Sequence, residues 1–160
     1  MIRKAVRSDT QDILRIYSAA RAYMIANGNR SQWINGYPEC LLDEDIQKGR
    51  LYVVCGEDGT AHGCFVFLVG EEPNYRIIEQ GAWGSDMPYG TIHRMGSDGT
   101  IKGVFAQVLA FCAGQISHIR ADTHEVNSIM QDLLEKHGFA RRGMIYVEDG
   151  TPRIAYEYQR

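Results

Sequence analysis

The sequence predicts an α/β (α+β) fold in one domain spanning residues 1–160. The expected core is a mixed, mostly antiparallel sheet of about seven strands flanked by about four helices. Three observations carry this. Short apolar runs bounded by turn residues alternate with longer runs of helical spacing. Their order along the chain reads β, α, α, β, β, β, α, β, α, β, β. No repeat, low-complexity segment or linker interrupts that order.

Each element has its own signal. "IRKAV" alternates as a strand. "SDTQDILRIYSAARAYMIANG" is a helix, with Ser8 and Gln11 at capping-box spacing, Ile13, Tyr17, Ala20 and Met24 on one face, and Gly28 at the stop. "QWINGYPEC" is loop-like, and "LLDEDIQKG" fits a short helix ending at Gly49. "RLYVVC" and "GCFVFLV" are strands joined by "GEDGT", a hairpin signal. From Glu71 to Tyr89 no clear period survives, which predicts a long functional or mobile loop. "YGTIHRM" is a strand, and the helix after it carries Val104, Val108, Phe111 and Cys112. "HIRAD" is a strand. "THEVNSIMQDLLEKHGF" is a helix with Val126, Ile129, Met130, Leu133 and Leu134 on its apolar face and Gly138 as C-cap. "FARRGMIYV" and "PRIAYEY" are strands linked by "EDGT".

Composition narrows the function. The chain is 44% hydrophobic and 23% charged, as in a soluble globular protein. A net charge of −3 argues against non-specific binding to nucleic acid or anionic membrane. Cys40, Cys55, Cys64 and Cys112 are scattered, without C-x-x-C or zinc spacing, and the five histidines do not cluster. No metal is expected, and free thiols fit a reducing compartment. No apolar run approaches a membrane span or a secretory segment, so a cytoplasmic location is expected.

The stretch "SDGTIKGVFAQVLAF", Ser97 to Phe111, carries the first chemical signal: glycines, a threonine and a lysine run directly into a helix. The first N–H groups of a helix lack internal partners and favour an anion. An ordinary helix start would look similar.

The neighbouring motifs favour the anion-binding reading. "IHRM" followed by "KGVFA", and then "NSIMQDLLEKHGF" with Asn127, Met130 and the Gly138-Phe139 pair, resemble the GNAT acyltransferase family in order and spacing. The resemblance covers nearly the whole chain, and "HRMGSDGTIKGVF" through "GMIYVEDGTPRIAYE" is similar to a bacterial branch of that family. It implies a GNAT-like single domain over residues 1–160 that moves an acetyl group from acetyl-CoA to a primary amine of a small molecule or peptide, by direct transfer. It also implies that the fourth and fifth strands splay, that pantetheine bonds to exposed strand backbone, and that the pyrophosphate meets the amides of the following helix.

Carried onto this chain, the resemblance implies that Lys102, Gly103, Val104, Phe105, Ala106 and Gln107 cradle the pyrophosphate. One register places Thr100, Gly103 and Phe105 on the family's three marker positions, and the other makes Lys102-Gly103 its Arg-Gly pair. Asn127 contacts the cofactor arm, or caps its helix. The amide of Met95 or Gly96 polarises the carbonyl. His93 stands near the place of the family's carboxylate base, and histidine suits proton transfer, although a packed histidine is an equal reading. Leu134 stands where many members carry a tyrosine acid; His124, Tyr146 or Tyr156 is left to substitute. Trp33, Tyr37, Tyr75 and Trp83 are candidate walls of the substrate pocket, with Glu71, Glu72, Glu79 and Asp86 to attract a cationic amine. The other reading, motivated by Leu134 and Phe105, is a non-catalytic CoA-binding regulatory or interaction module. The final hairpin offers an edge for a homodimer.

Overall fold

The computed structural model describes residues 1–160 and holds a seven-stranded sheet in the order β1-β2-β3-β4-β5-β7-β6. The strands are β1 (Ile2–Lys4), β2 (Leu51–Cys55), β3 (Ala61–Val69), β4 (Gly90–Ser97), β5 (His118–Thr123), β6 (Ala140–Tyr146) and β7 (Pro152–Gln159). The helices are α1 (Thr10–Ala26), α2 (Leu42–Gln47), α3 (Val104–Ala113) and α4 (Ser128–Lys136). The expected element order and fold class are thus observed. β1 with β2, β2 with β3, β5 with β7 and β6 with β7 pair antiparallel. β4 and β5 run parallel, and their pairing covers only Gly90 with Ile119 and Thr91 with Arg120. The chain divides into two compact units, Met1–Phe67 with His93–Phe111, and Leu68–Ile92 with Cys112–Arg160.

In the first unit the core draws on Ile13, Ile16, Tyr17 and Ala20 of α1, on β2 and β3, and on Val104, Phe105 and Val108 of α3. β3 is buried over Gly63–Phe67, which is why "GCFVF" reads as a continuous apolar run and not as an alternation. Gly63 is needed there: a Cβ at this position would lie 3.0 Å from Val104 Cγ1, so its absence lets the start of α3 settle on the sheet. Tyr52 stacks on Phe65 at 5.3 Å, and Phe111 closes on both rings. The expected Ser8–Gln11 capping box does not form. A short 3-10 turn over Arg7–Asp9 precedes α1, and Asp9 accepts from the Val6 amide at 2.8 Å while its two oxygens take Arg3.

In the second unit Tyr75, Tyr89, Ile145 and Ala155 form a buried cluster, with Ile78, Trp83 and Val147 against it. α4 begins later than expected. Thr123 belongs to β5, where it pairs with Ile154, and Val126 is 40% exposed, outside the apolar face. Asn127 is the N-cap, its Oδ1 accepting from the Met130 amide at 3.1 Å. The aperiodic segment Glu71–Tyr89 is tied down residue by residue. The Tyr75 hydroxyl donates to Asp122 at 2.6 Å, the Trp83 indole to the Tyr75 carbonyl at 2.9 Å, and the Gly84 amide to Glu157 at 2.8 Å. Glu79 and Met144 exchange both backbone bonds at 2.8 Å. Gly81 fits only without a side chain, because a Cβ would fall 1.9 Å from the Arg142 carbonyl oxygen.

Candidate active site

The strand run "IHRM", Ile92 to Met95, contains a non-glycine residue in left-handed backbone: Arg94 has φ +47° inside β4. Such a residue breaks the regular alternation of a strand and re-aims the groups that follow it. What over-determines it is a buried carboxylate. Arg94 Nε and Nη2 donate to Asp45 Oδ2 and Oδ1 at 3.0 and 2.9 Å, and Asp45 is fully buried. Arg50 Nε donates to the same Asp45 Oδ1 at 2.6 Å. The Tyr37 hydroxyl also hydrogen-bonds the Arg94 guanidinium. Burial opposes the Arg94 charge, but Tyr37 and Asp45 outweigh it and raise its pKa.

Trp33 and Tyr37, expected as pocket walls, are brought to this part of β4. Arg21 of α1 gathers their loop: it donates to the Trp33 carbonyl at 2.8 Å and the Tyr37 carbonyl at 3.0 Å, and pairs with Glu39. Trp33 lies edge-on to Tyr17 at 5.4 Å. A Cβ on Gly96 would meet Trp33 Cη2 at 3.1 Å, so the indole packs directly under the Gly96 backbone. Its ring is buried and supports the strand. His93 and Met95 flank Arg94 and are half-buried.

Beyond β4 the chain turns through Asp98. Its Oδ1 accepts from the Thr100 amide at 2.9 Å, and its Oδ2 meets Arg15 at 2.5 Å and His62 Nδ1 at 2.8 Å. Burial would raise the Asp98 pKa, but the bonds from Arg15, His62 and Thr100 prevail and hold the carboxyl well below the usual range. Gly103, at φ +68°, leads into α3. Lacking a side chain, it cannot cap the helix, and no intrahelical carbonyl serves the first-turn N–H groups. Phe105 is 5% exposed, so its ring is folded away from the surface that carries Lys102, Gly103, Ala106 and Gln107. The Gln107 amide already bonds the Gly103 carbonyl at 3.2 Å.

The second unit holds His124, Asn127 and Trp83. His124 is 9% exposed, and its Nδ1 accepts from the Val126 amide at 3.2 Å. That bond leaves the proton of the neutral ring on Nε2, where it can donate. Burial, helped by the Arg153 charge and opposed by Glu125, lowers the His124 pKa and favours that neutral form. Leu134 is buried, so its position supplies no acid. Tyr156 is buried and donates to Glu135 at 3.3 Å; burial first, then Glu135, pushes its phenol up to about 12. Tyr146 is exposed, and a bond to Glu79 raises its pKa. One face of Trp83 is covered by Arg120, whose guanidinium carbon sits 4.1 Å from the ring centroid. The cysteines are all free thiols, and burial pushes Cys64 and Cys112 up to about 12, far from a nucleophilic thiolate.

Sequence reasoning missed Asp45, Arg94, Arg21 and Arg120. Asp45 reads as one more acid of an exposed helix, and Arg94 as an ordinary strand residue. The usable signal was weak: an arginine inside an apolar strand needs a partner.

No protein-family model and no curated protein matches the chain. Solved structures do. A GNAT-family acetyltransferase from Streptococcus agalactiae 2603 superposes with a TM-score of 0.87 at 30% identity, covering 100% of this chain and 95% of that one. A second, from Listeria monocytogenes 4b F2365, gives 0.73 at 16% identity over 100% and 94% of the two chains. The NatC complex, bound to Gag peptide and CoA, gives 0.63 at 12% over 100% and 98%. The fold is that of an acyltransferase. The chain belongs to the GNAT family of acetyltransferases.

Proposed function

We propose that the protein uses acetyl-CoA as co-substrate and transfers the acetyl group directly to a primary amine of a small molecule or peptide. The observation that carries this is the continuous strand–turn–helix run from His93 to Gln107. It combines a left-handed Arg94, just before Met95 and Gly96, with a helix that starts directly after Gly103 at φ +68°. A neighbour of the same fold bound to CoA supports the choice of cofactor.

The residue roles follow from the chemistry required. The amides of Gly103, Val104, Phe105, Ala106 and Gln107 and the Lys102 charge hold the pyrophosphate. Asn127, while capping α4, adds a polar contact to the cofactor arm. The Met95 or Gly96 amide donates to the developing oxyanion. His93 takes the proton from the attacking amine, and His124, with Nε2 as donor, returns one to the leaving thiolate. Tyr37 shapes the acceptor side; Trp33 is buried beneath Gly96, and Trp83 belongs to the second unit. The four free cysteines suit a reducing, cytoplasmic setting. No helix is long and apolar enough to cross a membrane. β6, the last strand of the sheet, offers the edge for a second copy.

Leu134, buried where many family members carry an acid, favours a second reading, a module that binds CoA without turnover. Isothermal titration with acetyl-CoA tests the first claim, and absence of binding at millimolar concentration ends it. Thiol release over a panel of amines separates the readings: turnover supports transfer, and binding without turnover on any amine supports the module.

A further inference from the structure

The second unit contains a pocket outside the machinery described above. It is lined by Gly70, Tyr75, Trp83, Asp86, Tyr89 and Arg120, among others, with a volume of about 420 Å³. That is the size of a small-molecule site. At it lies a guanidinium in an unusual state. Arg120 is 5% exposed and its guanidinium carbon lies over two rings, 4.1 Å from the Trp83 centroid and 4.0 Å from that of Tyr89. The rings engage the flat of the fork, which leaves its edge for a hydrogen-bonding partner.

That edge is poorly satisfied. A guanidinium has five N–H donors. Arg120 makes one hydrogen bond, from Nη2 to the Ser85 carbonyl at 2.7 Å; its Nε is closed off from solvent without one, so the donors left for a ligand are at the Nη1–Nη2 end of the fork. The nearest carboxylate is Glu157, whose Oε2 stands 3.6 Å from that Nε. Glu157 is already committed: Oε1 takes the Gly84 amide at 2.8 Å and Arg142 at 2.9 Å, and Oε2 meets His118 at 2.8 Å. A buried cation with unused donors is costly unless something pairs with it.

We propose that this pocket binds a small amino-carboxylate, its carboxylate on the edge of Arg120. The planar fork matches a carboxylate in two-pronged fashion. Of the acids at the pocket, Glu71 is paired with Arg76 at 2.7 Å, and Asp86 is left to favour an ammonium group on the same ligand. The aromatic faces serve Arg120 itself, so the rings orient the receptor cation and do not form a cage for a ligand cation.

The test follows the Arg120 Nε–Hε resonance in ¹⁵N-labelled protein during titration with 4-aminobutyrate, butyrate, butylamine and inorganic phosphate. Both carboxylates should shift it saturably, 4-aminobutyrate binding the tighter, while butylamine leaves it unmoved. Arg120→Gln should weaken 4-aminobutyrate binding about tenfold or more, the loss of a charge-assisted pair. Arg120→Lys, which keeps the charge and loses the fork, should fall between. The wild-type titration stands even if a variant fails to fold. No saturable shift with 4-aminobutyrate at millimolar concentration overturns the proposal, as does tighter binding of phosphate or unchanged binding by a folded Arg120→Gln. Neither acetyl-CoA nor turnover enters the readout, so this site and the acetyl transfer can fail independently.

Discussion

Arg94 and Asp45 meet in a two-pronged ion pair, Nε to Oδ2 at 3.0 Å and Nη2 to Oδ1 at 2.9 Å, at a strand residue whose φ is +47°. Asp45 is fully buried and carries Arg50 as well. Replacing it leaves two guanidinium groups without their shared anion. Asp45→Ala should cost about 3–5 kcal/mol of stability in urea denaturation, the range for breaking one side of a buried pair. Asp45→Asn, which keeps the shape but not the charge, should cost less. Acetyl transfer should fall in both while the protein remains folded, because the left-handed turn of the strand at Arg94 loses its anchor.

His93 is expected to matter to rate and not to cofactor binding. His93→Gln should lower kcat by about 10²–10⁴-fold, the usual weight of general-base catalysis, with the acetyl-CoA dissociation constant unchanged within error. Steady-state kinetics paired with calorimetry checks both halves.

Lys102 should behave in the opposite way. It is exposed and offers a charge beside a helix start. Lys102→Ala should weaken CoA binding by no more than about fivefold, the weight of such a charge at low salt, and the difference should shrink as salt rises. Titrations at two ionic strengths measure it.

Asp98 links the fold to pH. Its folded pKa lies below the unfolded carboxylate value, since bonds from Arg15, His62 and Thr100 overcome burial. A carboxyl lowered in this way contributes its full stability above the unfolded pKa of ~3.9, and loses it as pH falls from there toward the folded value. The urea midpoint of the wild type should therefore drop more steeply below about pH 4 than that of Asp98→Asn. Parallel slopes would remove Asp98 from the list of stabilising carboxylates.

The Glu79–Met144 stitch predicts a severe effect from a small change. Gly81→Ala puts a methyl where the Arg142 carbonyl already is, 1.9 Å away. The cost should be about 1–3 kcal/mol or more, as for other overpacked sites. Near-ultraviolet circular dichroism should lose the Trp83 signal as the segment detaches.

The sequence made the elements legible and left the tertiary ion pairs hidden. β2, β3 and β5 announced themselves because their side chains are buried, so hydrophobic patterning and structure coincide. The start of α4 was misplaced because Thr123 is claimed by pairing with β7, a partner that arrives thirty-one positions later at Ile154. Asp45 and Arg94 lie 49 positions apart, and no local period connects them. Trp33 looked like a free pocket wall because nothing in its own segment reveals that Arg21 pulls it beneath Gly96. In "SDGTIKGVFAQVLAF" the direction of the Phe105 ring was not legible from its own segment, because burial against the sheet turns it inward.

The chain has two tryptophans, Trp33 in one compact unit and Trp83 in the other. Their surroundings differ in optical character: Trp33 lies edge-on to a phenol in an apolar setting, and Trp83 lies against a guanidinium. The protein thus carries two intrinsic fluorophores with separate addresses. Single-tryptophan variants, each with a phenylalanine in place of the other indole, would let melting be watched from each half of the chain by emission alone. Coincident traces would show one cooperative transition, and divergent traces would show which half yields first.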